Sequence, residues 1–307
     1  MKGTVIKSTG SWYQIRTDSG EQVNGRLKGK FKLEEKKVTN PLAVGDQVQI
    51  QPEEKGDDTW IITDIIPRHN YVIRKSVKKT EHSHIIAANV DQVLILATLN
   101  QPRTSLGFID RILVTAETYR IPSMVVWNKA DLLDDDGIAE VDYYIDLYKN
   151  LGYESVLISA LHEGDIQDSV QYLEGKTTLI VGHSGVGKST FLNQLIPDLN
   201  QKTSGVSSFA NKGVHTTTFA EMFTMNNGTF VIDTPGIKEL GLGEIYDEEL
   251  GHYFPEMRSL LGHCKFHNCT HIHEPKCAIQ AAVESGEIAV SRFHSYLSMF
   301  EEEDTHR

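Results

Sequence analysis

Residues 125–133 read VVWNKADLL, an apolar strand that runs into Asn-Lys-x-Asp. Residues 182–189 read GHSGVGKS, a glycine-rich loop that runs into a helical pattern. Each stretch has the form of one half of a nucleotide site. Their order along the chain decides the fold, because the usual arrangement places the glycine-rich half first.

Gly182-His183-Ser184-Gly185-Val186-Gly187-Lys188-Ser189 fits G-x-x-x-x-G-K-[ST], preceded by the strand TTLIV. The glycines let the backbone wrap closely enough for its N–H groups to hold phosphate oxygens, and the helix that follows presents its positive end. Lys188 then reaches the β- and γ-phosphates, and the Ser189 hydroxyl is a Mg²⁺ ligand, with Thr190 beside it in the phosphate-binding set. Asn128, Lys129 and Asp131 supply what base reading needs. The Asp131 carboxylate accepts two N–H bonds from guanine, a donor pair adenine lacks, while the Asn amide sits near O6 and N7 and the Lys stem lies along the ring. Ser159-Ala160, at the end of SVLIS, adds a backbone N–H to guanine O6. GTP is therefore expected over ATP.

Asp233-Thr234-Pro235-Gly236 ends the strand TFVI, where Asp233 holds Mg²⁺ through water and the Gly236 N–H senses the γ-phosphate. Between the phosphate loop and this turn lies PDLNQKTSGVSSFANKGVHTTT, a polar segment too long for an ordinary connection. Of Thr216, Thr217 and Thr218 within it, Thr217 is the candidate to close on Mg²⁺ when the γ-phosphate is present. The motifs run base reader, Ser-Ala, phosphate loop, Thr loop, Asp-x-Pro-Gly. That is the usual GTPase order cut between its third and fourth motifs and rejoined, a permutation that compact domains tolerate because their termini lie close together. Ile237 stands where many GTPases carry a water-orienting Gln and cannot hydrogen-bond a water. His215 is the candidate for that role.

Strands alternating with helices from residue 89 to the Asp-x-Pro-Gly turn predict a mostly parallel α/β sheet, with Ile109, Ile112, Leu113 and Ala116 on one helical face. Before it, residues 1–68 read as short alternating strands broken by Gly and Asp-Ser-Gly turns, a small antiparallel barrel of OB or SH3-like type, with an exposed turn at EEKGDD. Residues 69–88 are basic and weakly periodic and read as a linker or a loop tied to the barrel. After 240 the chain reads as helical. The expected organisation is a barrel at 1–68, a GTPase domain at 69–240 and a helical metal-binding domain at 241–307.

The net charge of −12 hides an asymmetry. Residues 1–79 carry 15 Lys and Arg against 10 Asp and Glu, net +5, and the remainder is net −17. A basic end can meet nucleic-acid phosphates while the acidic remainder keeps the chain soluble. No stretch approaches the roughly 20 apolar residues of a membrane span, and MKGTVIKSTG lacks the apolar core of a signal peptide, so a cytoplasmic location is the default expectation; separately, a monomer is expected.

All three cysteines, Cys264, Cys269 and Cys277, fall within 14 residues. With a histidine they form a set suited to tetrahedral Zn²⁺. His271 is the favoured fourth ligand, with His263, His267 and His273 as rivals.

Taken together, the permuted motifs, GVHTTT, DTPGIKELGL and CKFHNCTHIHEPKCAI resemble the RsgA (YjeQ) family of circularly permuted GTPases over nearly the whole chain. The resemblance implies a GTPase that binds the immature small (30S) ribosomal subunit late in assembly, contacts rRNA through its barrel and zinc domain, and leaves after hydrolysis. It also implies His271 as the fourth zinc ligand. Val214 departs from the family, which often has Arg there. Two further possibilities stay open on sequence alone: a GTP-regulated binding module with negligible turnover, and an ATP-using P-loop enzyme in which Asn-Lys-x-Asp is accidental.

Overall fold

The structure is a computed structural model that describes residues 1–28, 41–53, 59–74, 84–196, 199, 220–225, 228–234, 245 and 247–304. The first five strands are β1 (Lys2–Ser8), β2 (Tyr13–Thr17), β3 (Gln22–Leu27), β4 (Gln47–Pro52) and β5 (Thr59–Ile65). They pair in the order β1-β2-β3-β5-β4, and β4 returns to β1. β3 and β5 run parallel, and the other pairs are antiparallel. A five-stranded Greek-key closure of this kind is the OB arrangement, which decides between the two barrel types the sequence allowed. Alternation sets its inside: Tyr13, Ile15 and Thr17 are buried while Gln14 points out, and Val5, Ile15, Val48, Ile50 and Ile62 fill the core.

Residues 69–88 correct the linker reading. β6 (Tyr71–Arg74) and β7 (His84–Ala88) form an antiparallel pair. Val72 and Ile86 enter the main core, and Ile73 and Ile85 pack with Ala43 beneath the barrel. The charged run between the strands, 75–83, masks two short apolar segments in the sequence and lies outside the described residues, as does most of EEKGDD.

β8 (Gln92–Ala97), β9 (Ser123–Trp127), β10 (Glu154–Leu157), β11 (Thr177–Val181), β12 (Glu221–Thr224) and β13 (Phe230–Asp233) form the second half of the sheet, in the order β10-β9-β8-β11-β13-β12. All neighbours are parallel except β12 and β13, which form an antiparallel pair. β8 is buried at every position, as a strand covered on both faces must be. The helices here are α1 (Leu106–Thr118), α2 (Asp135–Asn150), α3 (Glu163–Leu173) and α4 (Lys188–Leu195). Ser105 caps α1 by accepting from the Phe108 N–H, and Asp134 caps α2 by accepting from Gly137.

Barrel and α/β sheet are one hydrogen-bonded surface. β1 pairs with β12 at Lys7 and Glu221, whose side chains form a 2.9 Å ion pair. Nearby, Gly45 (φ +92°) passes so close to Ala88 that a Cβ would overlap its carbonyl oxygen, while Asn89 Nδ2 donates to the Gly45 carbonyl at 2.9 Å. The C-terminal module begins with a 3₁₀ turn (Asp247–Tyr253), then α5 (Pro255–Arg258), α6 (Ala278–Glu284) and α7 (Val290–Asp304). Its apolar core, built from Phe254, Met257, Ile279, Ile288 and Tyr296, also takes in Val114 of α1.

Candidate functional site

The loop between β11 and α4 has the shape its glycines require. Gly185 and Gly187 adopt φ +89° and +100°, and a Cβ on Gly182 would press into the Leu96 carbonyl oxygen. Lys188 opens α4 and folds back to donate to the Gly182 carbonyl at 2.6 Å. Burial lowers its ammonium pKa, and the negative charge of Asp233 opposes that shift. Asp233 is placed by register, since it pairs with Ile180 two residues before the loop. Thr234 donates to the Ile180 carbonyl at 3.1 Å and pins the chain where the Asp-x-Pro-Gly turn begins.

Asn128 draws three motifs together. Its Nδ2 donates to the Val186 carbonyl and its Oδ1 accepts from the Ala160 N–H, both at 2.8 Å, and the side chain is buried. Lys129 adopts φ 71° and donates through Nζ to the Gln101 carbonyl, which turns the chain so that Asp131 returns toward Ser159. Ser159 Oγ donates to Asp131 Oδ1 at 2.5 Å, and the Ala130 N–H donates to the Ile158 carbonyl at 3.0 Å. The Asn-Lys-x-Asp turn, Ser-Ala and the glycine-rich loop are thus one constellation although they are far apart in sequence.

Ser189 lies at the start of α4 beside Lys188, with Thr190 next, and Ser184 is exposed at the loop's tip. Gly236, Thr217 and His215 lie outside the described residues. Sequence reading missed Asp165, which accepts from the Ser159 N–H at 2.7 Å and from His162 Nδ1 at 2.7 Å. Burial alone would raise its carboxyl pKa, but these two bonds hold it below the usual range. Its position in the first turn of α3 is the signal that could have found it.

Cys264, Cys269, His271 and Cys277 also converge, with their ligand atoms all within 4.8 Å of one another. Cys264 and Cys277 Sγ lie 3.5 and 3.4 Å from His271 Nδ1 and 3.9 Å from each other. A tetrahedral ion with ordinary Zn–S and Zn–N bonds requires about 3.8 Å between sulfurs and about 3.5 Å from sulfur to nitrogen, so the set fits Zn²⁺. His271 is buried at φ 65°, and its carbonyl accepts from Gln280 Nε2 at 3.2 Å. Burial pushes the Cys269 thiol up to about 12, so a thiolate there depends on a cation. Glu274 braces the knuckle by accepting from Thr270 N and Oγ1 and from Ile272 N.

A phosphate loop on the central strand, a base reader reached earlier in the chain, and an Asp on the neighbouring strand define a circularly permuted P-loop GTPase. The profile of the RsgA GTPase matches residues 65–243 and that of the RsgA N-terminal domain residues 2–61. A small ribosomal subunit biogenesis GTPase RsgA of Cytophaga hutchinsonii is 50% identical over all of both chains. One of Bacteroides fragilis is 48% identical over 99% of this chain and 97% of its own. The crystal structure of YjeQ from Thermotoga maritima superposes with a TM-score of 0.78 at 35% identity, covering 98% of this chain and 97% of that one. YloQ, described as a circularly permuted GTPase, gives 0.75 at 30%, covering 100% and 96%. The chain belongs to the RsgA family of small ribosomal subunit biogenesis GTPases.

Proposed function

We propose that this GTPase binds GTP in the constellation around Asn128 and hydrolyses it to GDP and phosphate when docked on the small ribosomal subunit, during late 30S maturation. The observation that carries the reading is the pair of Asn128 hydrogen bonds, which assembles one guanine-nucleotide site from motifs in permuted order. The names of the relatives support the partner. Asp131, Ser159 and Ala160 read the base with Asn128 and Lys129, and residues 182–190 hold the phosphates. Ser189 and Thr217 hold Mg²⁺, with Asp233 acting through water and Gly236 sensing the γ-phosphate. Mg²⁺ supplies neutralisation of the charge that develops on the phosphates. Cys264, Cys269, His271 and Cys277 hold one Zn²⁺, which closes the knuckle as a structural ion.

The working units are the barrel at 1–68, the GTPase domain at 69–240 and the zinc domain at 241–307. Barrel and zinc domain contact rRNA, the basic excess of the first 79 residues supplying part of that affinity. The protein acts as a monomer in the cytoplasm, where its partner resides. Among the described residues no helix is long and apolar enough to cross a membrane. His215 positions the attacking water, since Ile237 offers no hydrogen bond.

Hydrolysis measured with purified small subunits, large subunits and neither tests this reading. Stimulation by the small subunit alone is the expected result. Equal rates in all three mixtures would overturn it. In the stimulated reaction, His215→Ala is expected to lose most of the turnover, and a wild-type rate would remove His215 from the mechanism.

A further inference from the structure

α1 touches the nucleotide loops at one end and the C-terminal module along one side. Phe108, in its first turn, lies against His183 of the phosphate loop with ring centroids 3.6 Å apart. The connector that enters the helix is held by both nucleotide loops: Lys129 Nζ donates to the Gln101 carbonyl, and Pro102 packs against Gly185. About 200° around the helix from Phe108, Asp110 starts a second face that Val114 and Glu117 continue at i+4 and i+7.

Every residue of that second face is gripped by the C-terminal module. Arg292 Nη1 donates to Asp110 Oδ1 at 2.6 Å, and Ser295 Oγ donates to the other oxygen. Val114 lies in the module's apolar core, and Arg258 Nη2 donates to Glu117 at 2.7 Å. Asp110 and Arg292 are 0% and 1% exposed, and Glu256 and the face of Phe254 complete the surroundings of the guanidinium. A buried charge does not leave such partners cheaply, and a packed helix moves as a body rather than by bending. The third face of α1, with Ile109, Ile112, Leu113 and Ala116, keeps it seated on the sheet.

We propose that α1 is a strut through which the nucleotide site sets the posture of the zinc-bearing module, with Phe108 and Arg292 as positioning residues at its two contacts. This rests on the GTPase reading above and adds a packed route to the covalent one that leaves the Asp-x-Pro-Gly turn. Linkage makes the coupling reciprocal, so docking of the module on RNA is felt at the phosphate loop.

The test uses the full-length zinc-loaded protein and compares small-subunit affinity with a non-hydrolysable GTP analogue and with GDP. Wild type is expected to bind more tightly with the analogue. No binding of the small subunit in either nucleotide state would overturn the ribosomal reading itself, whereas binding of equal strength in both states would overturn the strut alone. Phe108→Leu loosens the loop contact, and Arg258→Ala with Ser295→Ala loosens the module contact while leaving Arg292 on Asp110. Each is expected to lower the analogue-to-GDP affinity ratio by about fivefold or more. Phe108→Tyr, which keeps the ring, restores the ratio. The double variant keeps wild-type zinc content and wild-type nucleotide affinity in the absence of subunits. A ratio unchanged in both variants overturns the strut. A fall in Phe108→Leu alone also overturns it, because the effect then stops at the phosphate loop.

Discussion

Asn128 and Val186, 58 residues apart, are joined by a 2.8 Å hydrogen bond from the buried side-chain amide to the phosphate-loop carbonyl. The same amide accepts from Ala160, so one side chain fixes the distance between the glycine-rich loop and the Ser-Ala turn. Asn128→Ala leaves a buried carbonyl and a buried N–H without partners. A loss of about 3 kcal/mol, roughly a hundredfold in affinity, is expected for GTP and GDP alike in a fluorescent-nucleotide titration. A loss confined to GTP would mean that the residue acts on the γ-phosphate instead.

Asp131 accepts from Ser159 Oγ while its carboxylate remains available to a base. Asp131→Asn replaces an acceptor by a donor where guanine presents its own donors. GTP binding should collapse and xanthosine triphosphate, which offers a carbonyl at that edge, should be preferred. Competition between the two nucleotides reads this directly, with ATP as the control that separates guanine reading from general phosphate affinity.

Gly45 sits at the seam between barrel and α/β domain, where both its positive φ and the Ala88 carbonyl exclude a side chain. Gly45→Ala should cost about 2–4 kcal/mol, combining the left-handed penalty with overpacking. The expected signature is a lowered Tm. A melting point within a degree of wild type would show that the seam yields at little cost.

Chelation of zinc should melt the C-terminal knuckle, since a structural ion of this kind contributes about 10–16 kcal/mol to the segment it closes. Cys277 is also the N-cap residue of α6, and the Ala278 N–H donates to Cys264 Sγ at 3.4 Å, so the helix frays with the ion. The barrel core and the α/β cores are separate apolar clusters and should remain folded, so chelation should remove part of the helical signal at room temperature and leave a thermal transition of the remainder. Metal analysis of Cys277→Ser should find well under one zinc per chain.

The convergence of the glycine-rich loop with Asn-Lys-x-Asp, and of the three cysteines with His271, was legible because such chemistry demands fixed residue types at fixed spacings. Gly185 and Gly187 had to be glycine for their φ values. Three thiols and an imidazole within 14 residues match the four-ligand demand of a closed Zn²⁺ site. The barrel type was not legible, because alternation marks strands without stating which strand pairs with which. It took the parallel pairing of β3 with β5 to settle that. The β6–β7 pair was hidden because two four- or five-residue strands flank a charged run. Asp165 and Phe108 carry no motif, and their importance comes from neighbours that only the folded chain supplies.

The pairing of β1 with β12 has a consequence for what can be removed from this protein. A chain begun after the barrel would take from Glu221, the first residue of β12, both its strand pairing with Lys7 and its ion pair with the Lys7 ammonium, leaving that end of the outer strand more open to another copy. The barrel therefore also guards one end of the sheet's outer strand, and shortened versions of the enzyme should self-associate more readily for a reason unrelated to catalysis.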